Sequence, residues 1–143
     1  MIEGKIKKNK LDKTYLEIAK VWSKMSYCKR KQVGCIIVKD KTIISDGYNG
    51  TPSGFENKCE CKKGLTKDIV LHAEANALTK LAKSNNSSKG ATLYTTLSPC
   101  LNCAKLILQS GITRLVFIKE HSDITGLNML QKAGVLIEFL KDD

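Results

Sequence analysis

Three features of this sequence predict an α/β fold in three layers, with helices on both faces of a mixed five-stranded sheet. Short apolar runs rich in β-branched residues recur at 33–38, 92–97, 112–119 and 135–140. Segments with three- and four-residue apolar spacing alternate with them in the second half of the chain. Glycine, serine and asparagine clusters mark the junctions. Such alternation argues for parallel pairing, because parallel neighbours need a crossover long enough to hold a helix. The first two strands lie too close together for that and read as an antiparallel hairpin. A length of 143 residues fits one domain, and 42% apolar residues with only two prolines exclude low-complexity disorder.

Residues 1–10 hold four lysines and no apolar stretch, so they read as a flexible basic arm ahead of a single domain over 11–143. Leu11, Tyr15, Ile18, Ala19 and Trp22 recur at helical steps and predict a helix over 11–26. Strands follow at 33–38 and 42–45, joined at Lys39-Asp40-Lys41. Gly47, Gly50, Pro52 and Gly54 fall within eight residues and predict a shaped loop. The polar, cysteine-bearing stretch 55–66 suggests no regular structure. A helix is expected over 72–83, with Ala73, Ala77, Leu78 and Leu81 on its apolar face, and a loop over 85–90. After the strand at 92–97, Ser98 is the expected N-cap and Pro99 the first position of a helix over 99–110, stopped by Gly111. A buried strand at 112–119, a helix at 125–132 ended by Gly134, and a last strand at 135–140 complete the order.

The net charge is +10, from 24 Lys and Arg against 14 Asp and Glu. Anionic partners are favoured by that excess, whether nucleotides, nucleic acid or acidic surfaces. A solvated lysine-rich surface accounts for it equally well. Arginine, the better planar phosphate reader, occurs only at Arg30 and Arg114, so charge alone does not indicate a nucleic-acid reader. No apolar run approaches the roughly 20 residues of a membrane span. Six cysteines without a secretory signal point to a reducing, cytoplasmic setting, where cysteine serves metals or catalysis more often than disulfides.

The informative motifs are His72-Ala73-Glu74 and Pro99-Cys100-Leu101-Asn102-Cys103. Cysteines three apart at a helix start share a face, and the helix dipole there favours thiolates, the metal-binding form. Two thiolates and an imidazole make three protein ligands, the number a catalytic zinc has beside its open position. A lone C-x-x-C would be weak, because redox pairs and zinc-ribbon halves share it. Joined to His-x-Glu it becomes the pattern of zinc-dependent nucleobase deaminases.

With these motifs the chain resembles the cytidine deaminase-like superfamily, and within it the deoxycytidylate (dCMP) deaminase family with its phage-borne forms. The resemblance runs over about 11–140 and includes the loop Gly47-Tyr48-Asn49-Gly50-Thr51-Pro52-Ser53-Gly54. It implies a cytidine deaminase-like fold and hydrolysis of dCMP to dUMP and ammonia. Zn²⁺ would be held by His72, Cys100 and Cys103, with water as fourth ligand. Glu74, not a ligand, would carry a proton from water to N3 of the base and then to the leaving amine. Asn49 would bind the sugar 3′-hydroxyl and base, and the backbone at Ser98 and Pro99 would meet the exocyclic amine. Arg30 and Lys31 are candidates for the 5′-phosphate by position, though a solvated pair reads as well.

For the loop, with Gly47, Tyr48, Gly50 and Gly54, the resemblance implies a nucleotide site between subunits of a homo-oligomer, a hexamer in such relatives. There dCTP with Mg²⁺ would activate and dTTP inhibit; the plainer reading is a pocket wall without regulation. The resemblance also implies a possible second, structural zinc at Cys28, Cys59 and Cys61, as some phage relatives carry, but the insert that supplies its histidines there is absent and its fourth ligand is not identifiable in the sequence. Cys35 reads as a small buried residue. Two other readings remain open: a deaminase of a polynucleotide such as transfer RNA, which the Gly47–Gly54 loop disfavours, and a closed, non-catalytic zinc module, in which Glu74 would have no task.

Overall fold

In the computed structural model, which describes residues 2–142, the elements run α1 (Ile2–Ser23), β1 (Gly34–Lys39), β2 (Thr42–Tyr48), α2 (Ala73–Ala82), β3 (Thr92–Leu97), α3 (Leu101–Gln109), β4 (Arg114–Lys119), α4 (Thr125–Lys132) and β5 (Leu136–Phe139). The sheet order is β2-β1-β3-β4-β5. Pairing is antiparallel for β2–β1 and β1–β3, and parallel for β3–β4 and β4–β5. At the hairpin tip Asp40 and Lys41 both adopt positive φ (51° and 62°), the backbone that lets a two-residue turn follow the strand twist.

Side chains alternate along β1 between two cores. Cys35 and Ile37 join Leu93, Leu115 and Phe117 beneath α2, α3 and α4. Ile36 and Val38 join Tyr94 and Val116 beneath Tyr15, Leu16 and Ala19 of α1. Burial on both faces explains the unbroken apolar run in this strand. Arg114 on β4 fastens α1 to the sheet: it donates to Asp12 (2.9 Å) and Glu138 (2.8 Å), and the Tyr94 hydroxyl donates to Asp12 (2.6 Å).

Two elements differ from expectation. Helical backbone begins at Ile2 and takes in the stretch expected to be a flexible arm. Apolar periodicity reports packing, so the exposed Lys8, Asn9 and Lys10 leave none, while lysine remains a good helix former. Strand β2 continues to Tyr48, through residues expected to form a loop. Its polar sequence is tolerated because Ser45 donates its hydroxyl to the Ala77 carbonyl (2.7 Å) on α2. Gly47 lies so close to that helix that a Cβ would sit 2.5 Å from the Ala73 carbonyl oxygen. Among the described residues no helix is long and apolar enough to cross a membrane.

Candidate active site

The site lies where β3 and β4 end, at the carboxyl edge of the parallel part of the sheet, the usual ligand position in such sheets. His72 is the N-cap of α2 and Cys100 the N-cap of α3; both have extended backbone, and neither side chain makes a cap bond. Both side chains are therefore free to face each other. The expected N-cap, Ser98, stands two residues earlier and serves otherwise: its hydroxyl oxygen accepts the His121 N–H (2.7 Å). Cys103 follows one turn into α3. At the start of α4, a Cβ on Gly126 would lie 2.7 Å from the Pro99 carbonyl oxygen, so this glycine lets α4 press against the turn carrying Cys100.

His72 Nδ1 lies 3.5 Å from Cys100 Sγ and 3.3 Å from Cys103 Sγ. Tetrahedral zinc, with its ordinary Zn–N and Zn–S bonds, would set such N···S edges at about 3.5 Å. The three donor atoms therefore fit the ion, and the nitrogen–sulfur donor set suits it. Cys100 is held down to about 3 by hydrogen bonds from Cys103 and His72. Cys103 is pushed up by its bond to Cys100 and by burial, and His72 is raised by the Cys100 thiolate. The cluster thus carries a proton that a dication would displace. Glu74, on the first turn of α2, is buried and is pushed up to about 7, chiefly by burial.

A cavity of about 230 Å³ opens on this cluster. His72, Glu74 and Cys100 line it together with Arg30, Lys31, Asn49 and Ser98, whereas Pro99 is buried outside the lining. Asn49 does more than face the cavity. Its side-chain N–H₂ donates to the Lys31 carbonyl (2.7 Å) and its oxygen accepts the Val33 N–H (2.9 Å). One donor hydrogen and one lone pair remain for a ligand. Two lining residues escape the sequence reading. Glu60 is buried and accepts the N–H groups of Lys29 (3.0 Å) and Arg30 (3.3 Å). His121 enters from the end of β4. Neither stands in a motif; a buried acid between two cysteines and a spare histidine after a strand were the only signals.

A second concavity, of about 530 Å³, is lined by Gly47, Tyr48 and Gly50 with Asn76, Thr79, Lys80 and Lys83 of α2. Gly54, at φ +92°, lies outside that lining.

Cys28 and Cys59 are joined in a disulfide, contrary to the expectation that the cysteines serve metals or catalysis. Cys61, expected beside them, is exposed and free. It opens a tight turn in which its carbonyl accepts the Gly64 N–H (2.9 Å), and this carries its thiol away from the buried pair. Glu60, not Cys61, is the third potential ligand near Cys28 and Cys59.

Residues 9–119 match the family described as the cytidine and deoxycytidylate deaminase zinc-binding region. The deoxycytidylate deaminase of Mycobacterium phage D29 is 38% identical over 123 residues, 76% of this chain and 94% of that protein. The deoxycytidylate deaminase of Schizosaccharomyces pombe is 35% identical over 87% of this chain, which spans only 42% of that longer protein. Among solved structures, the dCMP deaminase of cyanophage S-TIM5 in complex with dCMP and dUMP superposes with a TM-score of 0.90 at 43% identity, covering 92% of this chain and 97% of that one.

Proposed function

The chain belongs to the cytidine and deoxycytidylate deaminase family and is a deaminase; from that premise we propose that it hydrolyses dCMP to dUMP and ammonia in the cytoplasm, that of the host if the protein is viral. The observation that carries this reading is the triangle of His72, Cys100 and Cys103 facing a cavity into which Glu74 also opens. Its fit to a three-ligand zinc supports His72 Nδ1, Cys100 Sγ and Cys103 Sγ as the ligands. Zinc bound there supplies a Lewis acid that acidifies a water.

Glu74 would accept the proton of the attacking water at a carboxylate oxygen and deliver it to N3 of the base. The water oxygen bonds to C4. Glu74 would then move the proton of the new C4 hydroxyl to the amine; the C4–N bond breaks as C4=O forms, and ammonia leaves. A buried carboxylate raised toward neutrality suits this double duty, because it exchanges protons near working pH. The remaining N–H of Asn49 donates to the sugar, the backbone at Ser98, which lines the cavity where Pro99 does not, meets the amine, and Arg30 and Lys31 bind the 5′-phosphate.

The second concavity fits the regulatory reading. Lys83 supplies positive charge beside the backbone of Gly47 and Gly50, with Lys80 ion-paired to Asp46 and one N–H of Asn76 left after its bond to the Tyr48 carbonyl. In this reading dCTP with Mg²⁺ activates and dTTP inhibits, within a homo-oligomer such as a hexamer. Ultraviolet absorbance of dCMP with zinc-loaded protein, alone and with each triphosphate plus Mg²⁺, tests both parts. Turnover raised by dCTP and suppressed by dTTP is expected. Equal turnover in all three samples would remove the regulation, and none in any would remove the substrate.

A further inference from the structure

We propose that the Cys28–Cys59 disulfide is a redox latch on the wall of the active-site cavity. Closed, it holds the segment between β2 and α2 against the cavity; opened by a dithiol, it releases that wall and weakens substrate binding. The proposal rests on the dCMP reading above and adds a control that no motif marks.

The pair sits where one bond fixes much of the wall. Cys28 follows α1, and Cys59 lies within 49–72, which link β2 to α2 without helix or strand. Cys28 lines the cavity itself, as do Glu60, next to Cys59, and Thr66 and Val70 further along. Among the described residues, every hydrogen bond of 51–70 stays inside that segment except the two that Glu60 accepts from the Lys29 and Arg30 N–H groups. The disulfide and Glu60 therefore fasten the segment to the chain at one place, 28–30 against 59–60. Cys28 Sγ also lies 3.8 Å from the carbonyl oxygen of Asn49, another lining residue.

The metal ligands are insulated from this segment. At its base Gly50 and Leu71 exchange two backbone hydrogen bonds (3.0 and 2.8 Å), just ahead of His72. Opening the latch frees the wall and leaves the cluster of His72, Cys100 and Cys103 in place.

A disulfide found in a reducing compartment is usually catalytic or redox-sensing. Reduction takes two electrons and two protons. The S–S bond breaks, Cys28 and Cys59 become thiols, and the dithiol closes to its own disulfide. Both cysteines are buried, at 3% and 1% exposure, so the exchange needs the segment to open. By linkage, a nucleotide that needs the closed wall favours the oxidised pair.

The test measures steady-state kinetics with dCMP for zinc-loaded wild type before and after dithiothreitol, removed under nitrogen, and for C28S/C59S. Zinc is counted in each sample, and trypsin cleavage at the exposed Lys58, Lys62 and Lys63 is followed beside it. We expect KM for dCMP to rise about fivefold or more on reduction, the low end of coupling between linked sites. One zinc per chain and most of kcat should remain, cleavage at 58–63 should quicken, and reoxidation should reverse both changes. C28S/C59S should show the reduced values with or without reductant; if it does not fold, reversal in the wild type decides. Unchanged KM and unchanged cleavage on reduction would overturn the latch and leave the substrate reading intact. So would a reduced pair that takes up a second zinc and keeps the oxidised KM. Oxidised, zinc-loaded wild type that does not deaminate dCMP would overturn the substrate reading, and the latch, as a control on that substrate, with it.

Discussion

Cys103 Sγ lies 3.3 Å from His72 Nδ1, although 31 residues separate them along the chain. The approach is made by two helix starts brought to one edge of the sheet, α2 pressed onto Gly47 and the Cys100 turn pressed onto Gly126. The arrangement predicts one zinc per chain at this cluster. Cys103→Ser should abolish stoichiometric zinc at neutral pH, as read by elemental analysis after dialysis. Retention of a full equivalent would place the metal elsewhere.

Glu74→Gln should keep that zinc and lose about 10²–10⁴ in turnover, the usual worth of a positioned acid–base group. The same substitution should alter the pH dependence of stability in metal-free protein. The Glu74 pKa lies at about 7 folded, against 4.5 as its ordinary value. Between those values the folded state keeps a proton that the unfolded state has lost. The contribution is therefore full below pH 4.5 and falls by about 3 kcal/mol as pH rises to 7. Urea unfolding of both proteins at a series of pH values isolates it: the stability of the wild type relative to Glu74→Gln should fall between pH 4.5 and 7, while the Cys100 thiol, held down to about 3, gives both proteins a slope of the opposite sign.

Gly47→Val should disturb the site from beneath. Added carbons would meet the Ala73 carbonyl and the Ala77 N–H group of α2, which are backbone and cannot swing aside. The helix bearing His72 and Glu74 has to shift. Weaker zinc binding and lower stability are expected together, measured by chelator competition and thermal unfolding.

The Cys28–Cys59 disulfide predicts four free thiols out of six in protein denatured without reductant, those of Cys35, Cys61, Cys100 and Cys103. Closing a loop with a sequence separation of 31 stabilises by about 3–4 kcal/mol on the chain-entropy relation. Thiol titration gives the count, and unfolding with and without reductant gives the difference. Six reactive thiols would show the pair to be reduced.

The strands, the helix order and the hairpin were legible because apolar period and turn residues report burial directly. The metal cluster was legible because His72, Cys100 and Cys103 stand at helix starts in a recognisable spacing. What escaped has physical reasons. Near the start of α1 the side chains of Lys8, Asn9 and Lys10 are exposed, so they left no apolar periodicity. Strand β2 beyond Ser45 is polar because it is satisfied by α2, a tertiary fact that no local window contains. Asn49 carries a turn-like sequence, yet its side chain supports the backbone at Lys31 and Val33. Glu60 and His121 act through contacts with residues 23–31 positions away. The Cys28–Cys59 pairing depends on a turn at 61–64 that separates Cys61 from its neighbours.

The central claim is that this pocket deaminates dCMP with zinc and Glu74. Its most direct measurement is the loss of cytosine absorbance from dCMP with three samples: zinc-loaded wild type, wild type stripped of metal, and zinc-loaded Glu74→Gln. The account predicts turnover in the first alone, restored to the second by adding zinc. Undiminished turnover after metal removal or in Glu74→Gln, or none in fully zinc-loaded wild type, would contradict it.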